Sequence, residues 1–232
     1  MLFKCSPFGH FNQNHIARGP ANEGHGETVT NGKKHFTVDI HCHIHVPEAD
    51  EMLKTLSPDY TGRSMVDTNP LTTKINKEQQ ASILPQLTDP EIRLRDMDQQ
   101  GIDVQAVSPS PFHYNYDYDA DFTRNTCKIV NDRVAEVVAS HPDRFVGLCT
   151  VPLQNCDLAI AELERCINEL GFKGVEISTN VQGMDLTRAG LDKFFSRVED
   201  LNTLIFMHPI GTSYKERMDD HYFRNTIGHP LE

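Results

Sequence analysis

An α/β fold of the (β/α)8 barrel type, with about its first five βα units present, is what the sequence predicts, and three observations lead to it. Short strand-like runs alternate with amphipathic helical stretches from Asp89 to the end of the 232-residue chain. Such alternation implies parallel strands joined by right-handed crossovers. No glycine-rich phosphate loop follows the first strand, which disfavours a doubly wound dinucleotide-binding sheet. The first strand also gathers ionisable side chains toward its C-terminal end, where barrels of this type carry their reactive groups.

That first strand is Val38-Asp39-Ile40-His41-Cys42-His43-Ile44-His45-Val46, closed by Pro47. At the two-residue period of a strand, Val38, Ile40, Cys42, Ile44 and Val46 form one apolar side, and Asp39, His41, His43 and His45 share the other. Neutral imidazole binds zinc and related ions well, and a nearby carboxylate fixes its tautomer. The polar face therefore reads as a metal site oriented by Asp39, with a solvated edge strand as the plainer alternative. Ahead of it, residues 1–34 are rich in Gly, Asn and His without apolar periodicity, and read as a flexible leader to a domain spanning 35–232. His10, His15 and His25 are too scattered there to form a site. In residues 48–88, Pro58, Gly62, Pro70 and Pro85 are expected to interrupt any long element, leaving a lid over the site or a disordered excursion.

From Asp89 the signals sharpen. Asp89 suits a helix N-cap, Pro90 the first helical position and Gly101 the C-terminal end. A second strand is expected at Asp103–Ser108. Phe122, Thr126, Cys127, Val130, Val134, Val137 and Val138 mark one face of a helix reaching about Ser140, before Pro142 and a third strand at Arg144–Val151. Ile160, Leu163, Ile167 and Leu170 line the next helix, which Gly171 ends, and Lys173–Ser178 forms a fourth strand. Leu191, Phe194, Phe195 and Val198 give another helix, and Thr203–His208 a fifth strand closed by Pro209.

A net charge of −11 argues against nucleic acid or an anionic membrane as a partner, since both need a basic surface. No apolar run approaches a membrane span, and the N-terminus lacks the apolar stretch of a secretory signal. Six cysteines without CxxC pairing read as reduced thiols of a cytoplasmic protein.

His208, last in the fifth strand, would add a third imidazole to His41 and His43 across a barrel. Three facial imidazoles with open positions make a catalytic rather than a structural site, which four protein ligands would close. His45 either replaces His41 in the pair or lies just past the strand. His113, among Tyr114, Tyr116 and Tyr118, lines a pocket or belongs to a polar aromatic loop. Glu176 is a buried partner for a charge or a pocket residue, while His141 and His221 read as solvated.

From about Val38 to its end the chain resembles the amidohydrolase superfamily, in the branch of the 2-amino-3-carboxymuconate-6-semialdehyde decarboxylases. The matching segments are Asp39-Ile40-His41-Cys42-His43, Asp89-Pro90-Glu91-Ile92-Arg93-Leu94-Arg95-Asp96-Met97-Asp98 and Gly101-Ile102-Asp103-Val104-Gln105-Ala106-Val107-Ser108. Asp143-Arg144-Phe145-Val146-Gly147-Leu148, Gly171-Phe172-Lys173-Gly174-Val175 and Phe206-Met207-His208-Pro209 follow in the same order and spacing. The resemblance implies a metal-dependent-hydrolase-type barrel holding one divalent ion, usually zinc, on His41, His43 and His208, with His45 outside the ligand set. It implies non-oxidative decarboxylation of an unsaturated or aromatic carboxylate, a small-molecule substrate, without an organic cofactor. Metal-dependent hydrolysis of a lactone or amide is the alternative on the same site, and an incomplete fragment or interaction module the alternative from another class. The family's substrate-binding arginine has no counterpart here, because residues 64–92 contain no arginine. Arg63, Lys74 and Lys77 are the cations left for a substrate carboxylate, and lysine does not reproduce a bidentate guanidinium clamp. The family's acid/base histidine and a further metal-ligating aspartate belong to strands beyond residue 232. The chain is thus expected to be the N-terminal portion of such a protein, with uncovered strand edges that allow homo-oligomers.

Overall fold

The computed structural model describes residues 28–30, 33–56, 69–211 and 217–232, with 28–30 and 33–34 described by their backbone alone. Two short strands come first. Thr28–Thr30 (β1) and Lys33–His35 (β2) pair antiparallel, Thr28 opposite His35 and Thr30 opposite Lys33. Pairing therefore begins inside the stretch expected to be a flexible leader; the rest of that expectation lies outside the described residues. The sequence carried a signal for it, because β-branched Thr28, Val29 and Thr30 precede Asn31-Gly32, a strong hairpin dipeptide.

Val38–Ile44 (β3) opens the main sheet and leads into Pro47–Leu56 (α1). Pro70–Thr88 (α2) is a 19-residue helix, which corrects the expectation that proline breaks up this region. Asn69 caps it by accepting from the Thr72 N–H at 2.9 Å, and Pro70 occupies the first turn, where no amide donor is needed. Pro85 lies in the last turn, where it gives up the single bond that its missing N–H would make. Asp89 then caps Pro90–Gln100 (α3), and Gly101 ends it in the left-handed conformation at φ 66°, as the sequence predicted.

The remaining units follow in turn: Val104–Pro109 (β4), a 3-10 turn at Pro111–His113, Ala120–Ser140 (α4), Phe145–Cys149 (β5), Cys156–Asn168 (α5) and Gly174–Ser178 (β6). A small antiparallel pair, Asn180–Val181 (β7) with Met184–Asp185 (β8), and a 3-10 turn at Leu186–Arg188 precede Asp192–Asp200 (α6) and Leu204–His208 (β9). A π-helical turn at Arg224–Gly228 runs into the short His229–Leu231 (α7). No helix among the described residues is long and apolar enough to cross a membrane.

The main sheet has the order β3-β4-β5-β6-β9, parallel throughout. Its strands follow chain order without the reversal of a doubly wound sheet, which is the winding of a barrel. The inner strands are buried on both sides; every residue of β6 is buried. Val130 and Val134 of α4, Leu163 and Cys166 of α5, and Phe194 and Val198 of α6 share the core with Phe145, Cys149, Val175 and Ile177 of the strands. Asn131 ties α4 to the next two elements by donating to the Thr150 carbonyl at 2.9 Å and to Glu162 at 2.7 Å, and Arg165 closes on Glu162 at 2.7 Å. Gly174 opens β6 where a Cβ would lie 2.6 Å from the Leu204 carbonyl oxygen, so a bare α-carbon lets β9 come into register.

The outer strands differ. On β3 the expected apolar side is buried only in its C-terminal half: Cys42 and Ile44 are in the core, whereas Val38 and Ile40 are 46% and 54% exposed. No described helix covers the first half of this edge strand. The β3–β4 ladder also shifts between Asp39 and Cys42, with one extra residue on the β3 side, a bulge of the kind that re-aims side chains.

Laid flat, five strands about 4.8 Å apart would hold the first and last roughly 19 Å from one another. His41 and His43 on β3 nevertheless stand 5.2 and 5.0 Å, ring centre to ring centre, from His208 on β9. The sheet therefore curls as half of a barrel, and its two edge strands meet at one mouth.

Candidate metal centre

The curl brings together the three imidazoles that the sequence singled out. One ring nitrogen from each of His41, His43 and His208 lies within 4.8 Å of the other two. His41 Nε2 and His43 Nε2 face each other at 3.1 Å. With metal–nitrogen bonds of about 2.0–2.1 Å, one ion spans that gap at an angle of roughly 100°. The donor set therefore fits a single divalent ion.

Two of the rings are held from behind. His208 Nδ1 donates to the carbonyl of Pro209 at 2.8 Å, which turns its other nitrogen toward β3. His43 Nδ1 lies 3.1 Å from Ser108 Oγ, and the Ser108 hydroxyl donates to the Cys42 carbonyl at 3.3 Å, leaving its lone pairs for the ring. Ser108 is opposite His43 in the ladder, so strand register makes this contact. Asp39 accepts from the His41 backbone N–H at 3.1 Å and from Gln105 Nε2 at 3.0 Å. Its carboxylate thus braces the bulge of β3, and it acts on the His41 ring through its charge.

Burial is the main influence on the protonation of all three. It holds His43 well below the ordinary imidazole value, with His208 and His41 adding repulsion. It pulls His208 down to about 4 and lowers His41 against the opposing charge of Asp39. Imidazoles kept neutral offer lone pairs to a cation at neutral pH. Phe206, on the same face of β9, sits 5.2 Å from the His41 ring and supplies an apolar wall.

The other candidates are placed elsewhere. His45 leaves the triad and contacts Asp50 at 3.1 Å. It stacks on His113 with ring centres 5.0 Å apart, and His113, fully buried, accepts from the Val46 N–H at 3.0 Å. His113 therefore props the end of β3. Glu176 is fully buried; Oε1 accepts from the Tyr114 hydroxyl at 2.6 Å and Oε2 is 3.5 Å from His43 Nδ1. Burial pushes its carboxyl up to about 8, with the neighbouring Ser108 and Tyr114 hydroxyls pulling the other way. His141 is a half-exposed neighbour of Glu91 at 3.5 Å, and His221 is exposed, as expected of solvated residues. Lys74 and Lys77 sit on the exposed side of α2, Lys74 beside Glu78 at 3.9 Å, while Arg63 lies outside the described residues.

Sequence reasoning missed two supports. Ser108 was readable in principle, as a polar residue at the C-terminal end of a barrel strand. Arg93 was not: its buried guanidinium donates to the carbonyls of His43 and Gln86 at 2.5 and 2.8 Å and to Gln105 at 3.2 Å, pinning the end of β3 to α2 and α3.

The chain is similar in sequence and in fold to several known proteins. The chain is 32% identical over 144 residues to 2-amino-3-carboxymuconate-6-semialdehyde decarboxylase of Dictyostelium discoideum, covering 62% of this chain and 40% of that protein. It is 32% identical over 123 residues to gamma-resorcylate decarboxylase of Polaromonas, covering 50% and 38%. Among solved structures, 5-carboxyvanillate decarboxylase of Novosphingobium aromaticivorans with bound manganese superposes with a TM-score of 0.70 at 25% identity, over 84% of this chain and 59% of that one. A Polaromonas dihydroxybenzoic acid decarboxylase, also with manganese, shares the fold at a TM-score of 0.67 and 24% identity, over 85% and 57%. The chain spans about two-fifths of the length of these curated relatives. The ion in both structures is manganese, where the sequence led to an expectation of zinc. A family description, Amidohydrolase, matches residues 38–227, from the strand that carries His41 and His43 to well past His208. On the strength of that span, the chain belongs to the amidohydrolase family.

Proposed function

We propose that the protein is a metal-dependent, non-oxidative decarboxylase of an unsaturated or aromatic carboxylate, and that His41, His43 and His208 are its protein imidazole ligands. The observation that supports this most is the convergence of those three rings within 4.8 Å at the C-terminal ends of two edge strands. The chemistry of the relatives supports the reaction class: those named above are decarboxylases. A divalent ion held by His41, His43 and His208 would supply Lewis-acid chemistry toward a substrate carboxylate. Three neutral imidazoles favour zinc by ligand type.

The chain's own residues prepare that site. His208 and His43 are aimed by Pro209 and Ser108 before any ligand arrives. Phe206 restricts water beside His41. In the reaction the bond from carbon to the carboxylate breaks, carbon dioxide leaves, and a proton takes its place on the carbon. Five free cysteines among the described residues support a reducing compartment, so we place the protein in the cytoplasm.

The test is carbon dioxide release by the whole protein from a panel including 2,6-dihydroxybenzoate and 5-carboxyvanillate, measured after loading with zinc or manganese. His41→Ala and His208→Ala are expected to fall below detection, while His45→Ala, outside the triad, keeps its activity. Activity surviving in both ligand variants would overturn the site. A ring-opened acid from a lactone panel, without carbon dioxide, would replace decarboxylation by hydrolysis.

A further inference from the structure

We infer that Glu176, locked in place by Tyr114, is the positioning carboxylate of the metal centre and acts through the His43 ring; this rests on the metal-site reading above. Glu176 is on β6, next to β9 in the sheet and opposite Phe206 in its register, so it shares the face that carries His208. Its side chain is fully buried. The Tyr114 hydroxyl, itself in the core, donates to Oε1 at 2.6 Å and leaves the carboxyl little freedom to rotate. Oε2 makes no hydrogen bond of normal geometry and points at His43 Nδ1 from 3.5 Å, with Ser108 Oγ at 3.1 Å from the same nitrogen.

A carboxyl buried for packing alone would need both oxygens satisfied, and an apolar residue would serve better there. A cation on the far nitrogen of His43 changes that balance. The ring then carries its proton on Nδ1, toward Glu176 and Ser108, and the ion's charge is offset by a carboxylate one imidazole away. Carboxylate–imidazole–metal chains of this kind fix the ring and raise its basicity. Tyr114 has the part of holding the holder.

The experiment measures metal affinity of the whole protein by chelator competition, with the absorption bands of the cobalt-substituted site as a second readout. Glu176→Gln is expected to weaken binding about 10–100-fold and to shift the cobalt bands. Tyr114→Phe, which keeps the ring and removes one hydrogen bond, is expected to weaken it about fivefold. It also carries the test if Glu176→Gln does not fold. Glu162→Gln is the control, since Glu162 is a buried carboxylate bound to Asn131 and Arg165, away from the triad. Wild-type affinity in Glu176→Gln and Tyr114→Phe, or a loss no larger than in Glu162→Gln, would overturn the inference. His41→Ala separates the two levels. If it binds metal as the wild type does, the metal-site reading fails; if it alone loses metal, only the role of Glu176 fails.

Discussion

At the scale of single residues, desolvation matters more at this site than any one charge. His208 is pulled down to about 4 by burial, while the same ring in an unfolded chain titrates near 6.5. Below about 6.5 the unfolded chain takes up a proton that the fold refuses, so the stability that His208 contributes is complete above that value and is lost as pH falls toward 4. Thermal melts of the metal-free protein between pH 7.5 and 4.5 are expected to show a falling melting temperature, and His208→Asn to flatten part of that fall. An unchanged slope in the variant would contradict the desolvated site. The three converging imidazoles were legible in the sequence because His41 and His43 alternate on one strand face and His208 precedes a strand-ending proline. Their supports were harder to read. Glu176 and Arg93 act through atoms brought close by folding, a carboxyl behind an imidazole in one case and backbone carbonyls of two segments in the other. Neither leaves a periodic trace.

At the scale of elements, strand and helix positions followed from amphipathic period, caps and proline. Every unit from α3 to β9 that the pattern predicted is present, with ends moved by one or a few residues. The misreadings lie where local punctuation met tertiary context. Pro85 sits inside α2 because the helix is near its end, and Val38 and Ile40 are exposed because β3 is an edge. The β3 bulge escaped a strictly alternating reading. Pairing of β6 with β9 sets where His208 stands, and Gly174 is the close point of that pair. Gly174→Ala places a methyl against the Leu204 carbonyl, and overpacking of this kind costs about 1–3 kcal/mol. The variant is expected to unfold at lower denaturant and also to bind metal more weakly, because β9 must shift. Wild-type metal affinity together with a lower midpoint would mean that the β6–β9 spacing does not set the site.

At the scale of the molecule, the half-barrel leaves the outer edges of β3 and β9 without a partner strand among the described residues. Val38 and Ile40 on β3, and Leu204 and Met207 on β9, stay 46–59% exposed. Open edges with apolar side chains pair readily with other strands. The chain is therefore expected to associate with itself. Light scattering is expected to show species larger than the 26.3 kDa monomer, reduced by Met207→Lys; a monodisperse monomer would contradict it. The curl that produces these edges also draws β3 and β9 together at the site, and the metal reading depends on it. The most direct check is therefore the metal content of the purified whole protein beside its His208→Ala variant, by elemental analysis after dialysis. One divalent ion per chain in the wild type and none in the variant is the expected result. A full equivalent retained without His208 would mean that the two edge strands do not share an ion.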